Sequence, residues 1–199
     1  MASTKNRHNI LEILFRISNL INTTVDRQKV LNGIMKEVVR VTRATSGSIA
    51  MFDREEGLLH IETAIGIPKS KWKTLKLHLG VGVTGWAAYE GKPLIVDDVR
   101  KDLRYVAIKR DIRSEMAVPM FLKRNMVGVI NVDSTKIGAF TEEHKQLLLV
   151  IAEQAARVIE TSQLYEHLQD HTNQITSLFR LNRLITKQAT VDQLQSQIA

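Results

Sequence analysis

The stretch from Gly80 to Pro93, GVGVTGWAAYEGKP, limits what this chain can fold into more than any other segment. It holds four of the ten glycines and one of the three prolines. The spacing Gly80-x-Gly82-x-x-Gly85 matches a dinucleotide-binding turn, but that turn requires a long crossover helix and a second parallel strand after it. Here Gly91 and Pro93 end the helix after about two turns. The stretch therefore predicts a glycine-hinged loop and a short helix that lie over one face of a sheet.

Composition excludes several classes of function. The chain has 199 residues, enough for one well-buried core with additional helix. No apolar run has the length of a membrane span, and the start MASTKNRHN lacks the apolar core of a signal peptide, so we expect a cytoplasmic protein. The chain contains no cysteine, which excludes disulfides, thiolate nucleophiles and cysteine-based zinc sites.

The net charge of +7 raises the question of nucleic-acid binding. Many basic residues fall within 100–113, but Asp102 and Asp111 are interspersed among them. A solvated basic surface is the preferred interpretation. A nucleic-acid or polyanion binder that uses 100–113 is the alternative.

Hydrophobic periodicity indicates an α+β fold. Residues 8–43 carry helical periodicity with a break near 22–26, where Asp26 can cap the second helix. From Gly47 the period changes to two, and six short strands follow with helices inserted between the inner ones. These features predict a six-stranded antiparallel sheet covered by helices, with strands SGSIAMFD, GLLHIETAIG, LHLG, LIVDD, EMAVPMFL and MVGVINVDS.

The last part of the chain predicts one long helix, with Thr141 as its N-terminal cap. From residue 164 the apolar positions follow alternating steps of four and three, as in a coiled coil. His171 and Asn182 are polar members of this seam, and they either fix its register or are simply tolerated on an exposed helix. We expect a parallel homodimer through the seam residues Leu164, Leu168, His171, Ile175, Leu178, Asn182 and Ile185.

An internal repeat predicts the domain organisation. The sequence LFRISNLI at 14–21 recurs as LFRLNRLI at 178–185, and Thr-Val-Asp follows both copies, at 24–26 and 190–192. Repeats at domain scale indicate a second copy. We expect one domain at 1–163, a connecting coiled-coil helix at 164–187, and the start of a second, truncated domain at 188–199.

Together these segments resemble a GAF domain, a sensing module of bacterial signalling proteins and cyclic-nucleotide enzymes. The resemblance covers about residues 8–165. Leu103 departs from it, since many members have proline there, while Asp102, Arg104 and Tyr105 fit. The matching segments are SGSIAMFD, GVGVTGWAAYEGKPLIVDDVRKDLRY, SEMAVPMFLKRNMVGVINVDS and FTEEHKQLLLVIAEQAARVIE.

The resemblance implies terminal helices on one face of the sheet and a ligand pocket on the other, with the glycine stretch as a pocket wall. Alternation in MVGVINVDS places Asn131 and Asp133 on the face opposite the apolar one, so they either line the pocket or reach solvent at the strand end. Trp86 is either a pocket aromatic or plain core packing. The full set of expected ligand-binding residues is Phe52, Thr63, Trp86, Tyr89, Tyr105, Met116, Val118, Asn131 and Asp133.

Ligand classes known for the resembled family can be compared with this sequence. Cyclic-nucleotide members carry Asn-Lys and a later Phe-x-x-x-Asp-Glu; this chain keeps Asn131 and Phe140 but has Val132, His144 and Lys145 at the other places. Covalent bilin attachment and the methionine-sulfoxide reductases of this fold require cysteine, which is absent. His60 and His78 are scattered, which disfavours haem. The ligand stays unidentified.

The function expected from the sequence is a non-catalytic sensory module. A small molecule would bias the packing of the terminal helices, and the dimeric coiled coil would pass that state to a following domain. The alternatives are a module that mainly dimerises without ligand and a polyanion binder through 100–113. We expect no enzymatic activity, because no nucleophile with a neighbouring base and no metal-ligand spacing is evident.

Overall fold

The computed structural model describes residues 12, 13, 15–20, 26–72, 75–107 and 109–196; the side chains of 163, 165–167, 170 and 177–196 are not described. The chain divides into two compact units, Met1–Glu160 and Thr161–Ala199. The first contains the sheet and its covering helices. The second is helical over its described residues.

The first unit is built on the six-stranded antiparallel sheet that the sequence predicts. Its strand order is β3-β2-β1-β6-β5-β4, so β1 and β6 lie at the centre and β3 and β4 at the edges. The strands are β1 (Ser46–Asp53), β2 (Leu58–Ile65), β3 (Leu77–His78), β4 (Leu94–Val96), β5 (Ser114–Leu122) and β6 (Asn125–Ser134).

One face of the sheet is covered by the terminal helices. Helix α1 (Arg27–Thr42) begins at Asp26, whose carboxylate accepts the Lys29 N–H at 3.1 Å. Helix α4 (Glu142–Ser196) begins after Thr141, whose hydroxyl accepts the His144 N–H at 3.3 Å, so both predicted caps are confirmed. The core between helices and sheet is apolar, and its fully buried members include Ile17, Leu31, Ile34, Met35, Ile49, Met116, Met120, Ile130, Leu148, Ile151 and Ile159.

The opposite face is covered by shorter elements. These are α2 (Lys69–Trp72), α3 (Gly82–Glu90), a single 3₁₀ turn (Val99–Lys101) and an irregular segment that ends at Arg113. A second, smaller apolar cluster lies under them, with Ala50, Leu59, Val83, Ala87, Val96, Ala117 and Val129 among its members. Because both faces are covered, every residue from Ser114 to Met120 is buried.

The glycine stretch folds as the sequence predicts, into a tight turn and a helix of nine residues. Gly80 and Gly82 have φ values of +77° and +71°, in the left-handed region that glycine tolerates best. A Cβ at Gly85 would lie 2.1 Å from the carbonyl oxygen of His78, so only glycine lets α3 approach β3 this closely. The glycines serve the packing of a short helix on an antiparallel sheet.

Within the second unit, helix α4 continues through Ser196 without a break at residue 188. Three of the seam positions carry large apolar side chains that are exposed: Leu164 at 61%, Leu168 at 67% and Ile175 at 53%. His171 is also exposed. The other predicted seam side chains, those of Leu178, Asn182 and Ile185, lie outside the described residues.

Candidate functional site

A pocket lies between the sheet and the short elements that cover it. Residues from β1, β2 and β6 form its floor, Thr84 of α3 contributes to one wall, and Tyr105 and Lys109 of the irregular segment cover it. The pocket volume is about 30 Å³. Its polar groups come together on adjacent strands, because directly paired residues of antiparallel strands point to the same face.

Two carboxyl groups form the acidic end of this pocket. Glu115 of β5 pairs with Asp133 of β6, and both side chains are more than nine-tenths buried. Burial, followed by the nearby charge of Asp133, raises the pKa of Glu115 to about 8. Burial also raises the pKa of Asp133, while hydrogen bonding from Ser46 and the charge of Lys109 act in the opposite direction. The pocket therefore favours a neutral Glu115 near neutral pH.

Asn131 is the third polar side chain of the pocket floor. It pairs with Ala117 across β5 and β6, and it is 7% exposed. Its Oδ1 has no hydrogen-bond partner among the described residues. An unpaired buried acceptor costs free energy, and that cost is removed when a donor reaches it. Asn131 is thus an acceptor that is available to a bound molecule.

A hydrogen-bonded chain crosses the acidic end. The Ser46 hydroxyl donates to Oδ1 of Asp133, and the Lys109 ammonium group donates to the Ser46 oxygen at 2.9 Å. The Tyr105 hydroxyl donates to the Lys109 carbonyl at 3.3 Å. Burial, followed by the charge of Glu115, raises the pKa of Tyr105 to about 12, so its hydroxyl keeps its proton and acts as a donor.

The structure brings three of the predicted site residues together in the pocket: Tyr105, Asn131 and Asp133. It adds Glu115, Ser46 and Lys109, which the sequence did not single out. Glu115 had a detectable signal, because a glutamate within the otherwise apolar strand EMAVPMFL needs a polar environment on one face.

Thr63 lies on the other face of the sheet, so its predicted pocket role is wrong. Its hydroxyl donates to the side-chain oxygen of Asn32 on α1. The cause is a bulge: Ile49 pairs with Thr63 and Ala50 pairs with Ile61, which leaves Glu62 outside the register. The extra residue turns Ile61 toward the pocket and Thr63 toward the helices.

Met116 and Val118 also face the helices, in contrast to their predicted pocket positions. Met116 pairs with Val132 and Val118 pairs with Ile130, and all four belong to the core under α1 and α4. The sequence-based pairing was displaced by one residue, which exchanges the two faces of a strand. The pocket face of β5 is the one that carries Glu115.

Phe52, Trp86 and Tyr89 are near the covering elements but are not among the described residues that line the pocket. Phe52 packs against the smaller apolar cluster. Trp86 and Tyr89 lie three residues apart on the outer side of α3, with ring centroids 6.5 Å apart, and Tyr89 is 68% exposed. The expectation that the glycine stretch supplies pocket aromatics is therefore wrong, since α3 turns its small residues to the sheet.

Trp86 instead contacts the irregular segment. The Arg104 guanidinium lies 5.6 Å from the centre of the Trp86 ring, within cation–π range. Arg104 also donates to both carboxylate oxygens of Asp102, at 2.9 and 2.6 Å. This arrangement attaches the segment to α3 beside the pocket.

Three of the six basic residues of the 100–113 segment are engaged within the protein, and Arg100, Lys101 and Arg110 are exposed. Arg104 pairs with Asp102, Arg113 lies 3.3 Å from Asp98, and Lys109 points to the pocket. Such pairing separates the positive charges and reduces what a polyanion could contact.

A separate group of possible metal ligands lies at the β1–β2 turn. Asp53, Glu56 and His60 each offer one ligand atom, all within 4.8 Å of one another. The group is largely exposed. Asp53 accepts the N–H groups of Glu55 and Glu56, and His60 lies 2.9 Å from Glu56, so their contacts are explained by turn geometry.

None of the helices in the described part of the chain combines the length and apolarity that a bilayer crossing requires.

Comparison with known proteins gives relatives of two kinds. The chain is 29% identical over 106 residues to the free methionine-R-sulfoxide reductase of Escherichia coli, covering 53% of this chain and 64% of the relative. It is 20% identical over 205 residues to the Nif-specific regulatory protein of Herbaspirillum seropedicae, covering 94% of this chain and 38% of the relative. The chain thus spans less than two thirds of the length of these relatives.

Structure comparison agrees on the fold. The free methionine-R-sulfoxide reductase of Neisseria meningitidis in complex with its substrate is similar with a TM-score of 0.72 and 22% identity, covering 78% of this chain and 91% of that chain.

These comparisons correct the prediction that the chain has no enzymatic activity. A sequence relative and a structural neighbour are both reductases, so the same fold includes enzymes as well as regulators. The lack of a recognisable catalytic motif was therefore an insufficient ground for that prediction.

The remaining comparison concerns the family. The family model for the GAF domain matches residues 24–160, which include all six strands, α1 and the first part of α4. The matched range contains all the described residues that line the pocket. The chain therefore belongs to the GAF domain family.

Proposed function

We propose that this protein is a sensory and regulatory module whose pocket binds a small molecule that carries a primary ammonium group. GAF domains are sensory and regulatory modules, and the similarity to a nitrogen-fixation regulator agrees with a role in signalling. The proposal adds the chemical class of the ligand and the path by which its binding is transmitted.

The observation that carries the proposal is the unpaired Oδ1 of Asn131 beside two buried carboxyl groups, those of Glu115 and Asp133. Carboxylates and amide oxygens are acceptors, so the complementary ligand group is a donor. A primary ammonium group offers three N–H donors and a positive charge. It can therefore satisfy Asn131 and neutralise an ionised Glu115 at the same time.

The comparisons support this ligand class. Two structural neighbours are free methionine-R-sulfoxide reductases in complex with substrate. The name of that enzyme implies a free amino acid derivative as substrate, and a free amino acid has an α-ammonium group. Similarity of fold at this level does not carry the ligand over to this chain. It supports testing amino acids and amines first.

The path of transmission runs through β5 and β6. On the pocket side these strands present Glu115 and Asp133; on the helix side they present Met116 and Val132, which pack in the same core as Leu148 of α4. A ligand that prefers one spacing of the pocket strands also shifts the surface on which α4 packs.

We further propose that α4 continues this path as a parallel homodimer. Leu164, Leu168 and Ile175 are large apolar side chains that are more than half exposed in the single chain. Their spacing is that of a coiled-coil seam, and a second copy of the same helix would bury them. The repeat of 14–21 at 178–185 supports a second, related domain that receives the signal.

The ligand class can be tested by titrating the protein with amino acids and primary amines, each paired with its N-acetylated form, and measuring heat of binding. We expect binding of the ammonium compounds only. Glu115→Gln should weaken it by about tenfold or more, because a charge-assisted hydrogen bond is lost. Glu90→Gln, which changes an exposed glutamate on α3, should leave it unchanged.

Each bound compound should then be recovered and its mass compared with that of the starting compound, since the family includes enzymes. Equal binding of the acetylated partners, or no binding in either series, would contradict the proposed ligand class. A protein that dimerises but binds none of the compounds would favour a module that mainly dimerises. Binding of oligonucleotides with a steep salt dependence would favour a polyanion binder.

A further inference from the structure

The pocket is smaller than the ligand that its chemistry favours. Its volume is about 30 Å³, which admits water, whereas pockets for small organic ligands have roughly 300 Å³ or more. A ligand can therefore enter only if part of the wall moves. Besides the sheet, the described wall consists of Ile67, Thr84 of α3 and the irregular segment between Asp102 and Arg113. The irregular segment contributes the largest share of the cover, with Tyr105, Val106, Lys109 and Ile112.

The irregular segment moves at lower cost than the sheet. Its C-terminal end is fixed to β6 by a backbone hydrogen bond from the Arg113 N–H to the Ser134 carbonyl at 2.8 Å. The backbone bond from the Tyr105 N–H to the Asp102 carbonyl, at 3.1 Å, lies within the segment. The Lys109 ammonium group on Ser46 and the Arg104 guanidinium over the Trp86 ring attach it to the rest of the protein through side chains. The hydrogen bond from the Tyr105 hydroxyl to the Lys109 carbonyl lies within the segment. Segments with few buried backbone contacts open with less free energy than paired strands.

Lys109 is the part of this segment that reaches the acidic end of the pocket. Its ammonium group donates to Ser46, and Ser46 donates to Asp133. The charge of Lys109 favours the ionised form of Asp133 and so lowers a pKa that burial raises. The other titratable groups that face this end are Glu115 and Tyr105, with Asp111 nearby. Lys109 thus already supplies the kind of group that the ligand is expected to bring.

We propose that Lys109 is an internal competitor of the ligand: its ammonium group occupies the acidic end of the empty pocket and leaves when the ammonium group of a ligand enters. The inference rests on the proposed function, because it requires a pocket that binds a cation. It makes Lys109 a specificity-determining residue. A ligand with an ammonium group replaces the charge that it displaces, whereas a neutral molecule would leave Asp133 buried without a cation.

The test uses n-butylammonium as a probe, because it copies the end of a lysine side chain, and n-butanol as its neutral counterpart. Lys109→Ala removes the competitor and leaves space for the probe. We expect it to bind n-butylammonium at least about tenfold more tightly than the unaltered protein, since the unaltered pocket is open for only a fraction of the time. Arg110→Ala, a loss of one exposed positive charge on the same segment, is the matched control and should bind like the unaltered protein.

Thermal unfolding checks whether Lys109→Ala is folded. If it is not, Lys109→Met replaces it in the test, because methionine keeps most of the side-chain volume without the charge. It should also bind the ammonium probe more tightly than the unaltered protein, and n-butanol should show no such gain. Equal or weaker n-butylammonium binding by the folded Lys109 variants would overturn the competitor role while leaving the ligand class intact. If no primary amine binds either the unaltered protein or the variants, the proposed function itself fails.

Discussion

Glu115 and Asp133 lie directly opposite each other on β5 and β6, and both carboxyl groups face the same buried pocket. Burial raises the pKa of both carboxyl groups, and the charge of Asp133 adds to the rise at Glu115. This relationship links the pocket to pH in two measurable ways.

The first concerns folding stability. The pKa of Glu115 is about 8 in the folded protein against a usual value of 4.5, so the folded state holds an additional proton between these values. Stability from this group is therefore present at low pH and lost as pH rises through this window. Relative to the unaltered protein, Glu115→Gln should gain about 2–5 kcal/mol in unfolding free energy between about pH 5 and pH 9.

Urea unfolding followed by circular dichroism at several pH values measures this difference. Glu90→Gln should follow the unaltered protein throughout. A stability difference for Glu115→Gln that does not change with pH would show that the pKa of Glu115 is the same in the folded and unfolded states, which contradicts the prediction.

The second concerns ligand binding. A cationic ligand favours the ionised form of Glu115, so binding should release a proton when Glu115 starts protonated. Near neutral pH we expect roughly half to one proton released per ligand, and affinity should rise as pH approaches 8. Calorimetry in two buffers with different ionisation enthalpies measures the released proton. Glu115→Gln should abolish the release, and a release that survives this substitution would assign it to another group.

A third prediction concerns the close contact between α3 and β3. In a helix interior, Gly→Ala is usually stabilising by roughly 0.5–1 kcal/mol. At Gly85 the added Cβ would meet the His78 carbonyl oxygen at 2.1 Å, so Gly85→Ala should destabilise the fold by about 2–4 kcal/mol. Gly33→Ala on α1 is the control, because its Cβ would meet only the flexible end of Leu20. Chemical unfolding compares the two, and similar stabilities would mean that α3 shifts without cost.

A fourth prediction concerns the proposed dimer. Leu168→Glu combined with Ile175→Glu places like charges in the seam, and sedimentation should show a dimer that dissociates at much lower concentration. Gln169→Glu combined with Gln174→Glu adds the same charge at exposed positions outside the seam and should change association little. A monomer at all concentrations for the unaltered chain would exclude the seam.

The sequence was sufficient for the six strands and the starts of the terminal helices to be anticipated, because the two-residue alternation and the capping residues are local signals. It was also sufficient to place Asn131 and Asp133 together on one face of β6, because the other face of that strand is clearly apolar. It failed where the answer depends on pairing between strands. Met116 was placed on the wrong face because nothing within β5 alone states its register against β6.

The prediction for Thr63 was wrong for a related reason, since the alternation of apolar residues along β2 does not indicate the bulge at Glu62. Lys109 was missed because its segment has no regular periodicity from which a direction could be inferred. Trp86 was misplaced because aromatic character predicted a ligand contact, while the helix turns its small residues inward and leaves the large ring to Arg104.

The bulge at Glu62 also bears on how this protein should be compared with its relatives. At Glu62 the alternation of β2 side chains between the two faces of the sheet is interrupted. Ile61 faces the pocket, and Thr63, two residues later, faces α1. A relative that lacks the extra residue would have to be aligned with a gap at this position. Without the gap, every residue beyond it would be matched to a neighbour on the wrong side of the sheet, and a pocket substitution would be mistaken for a change in the helix core.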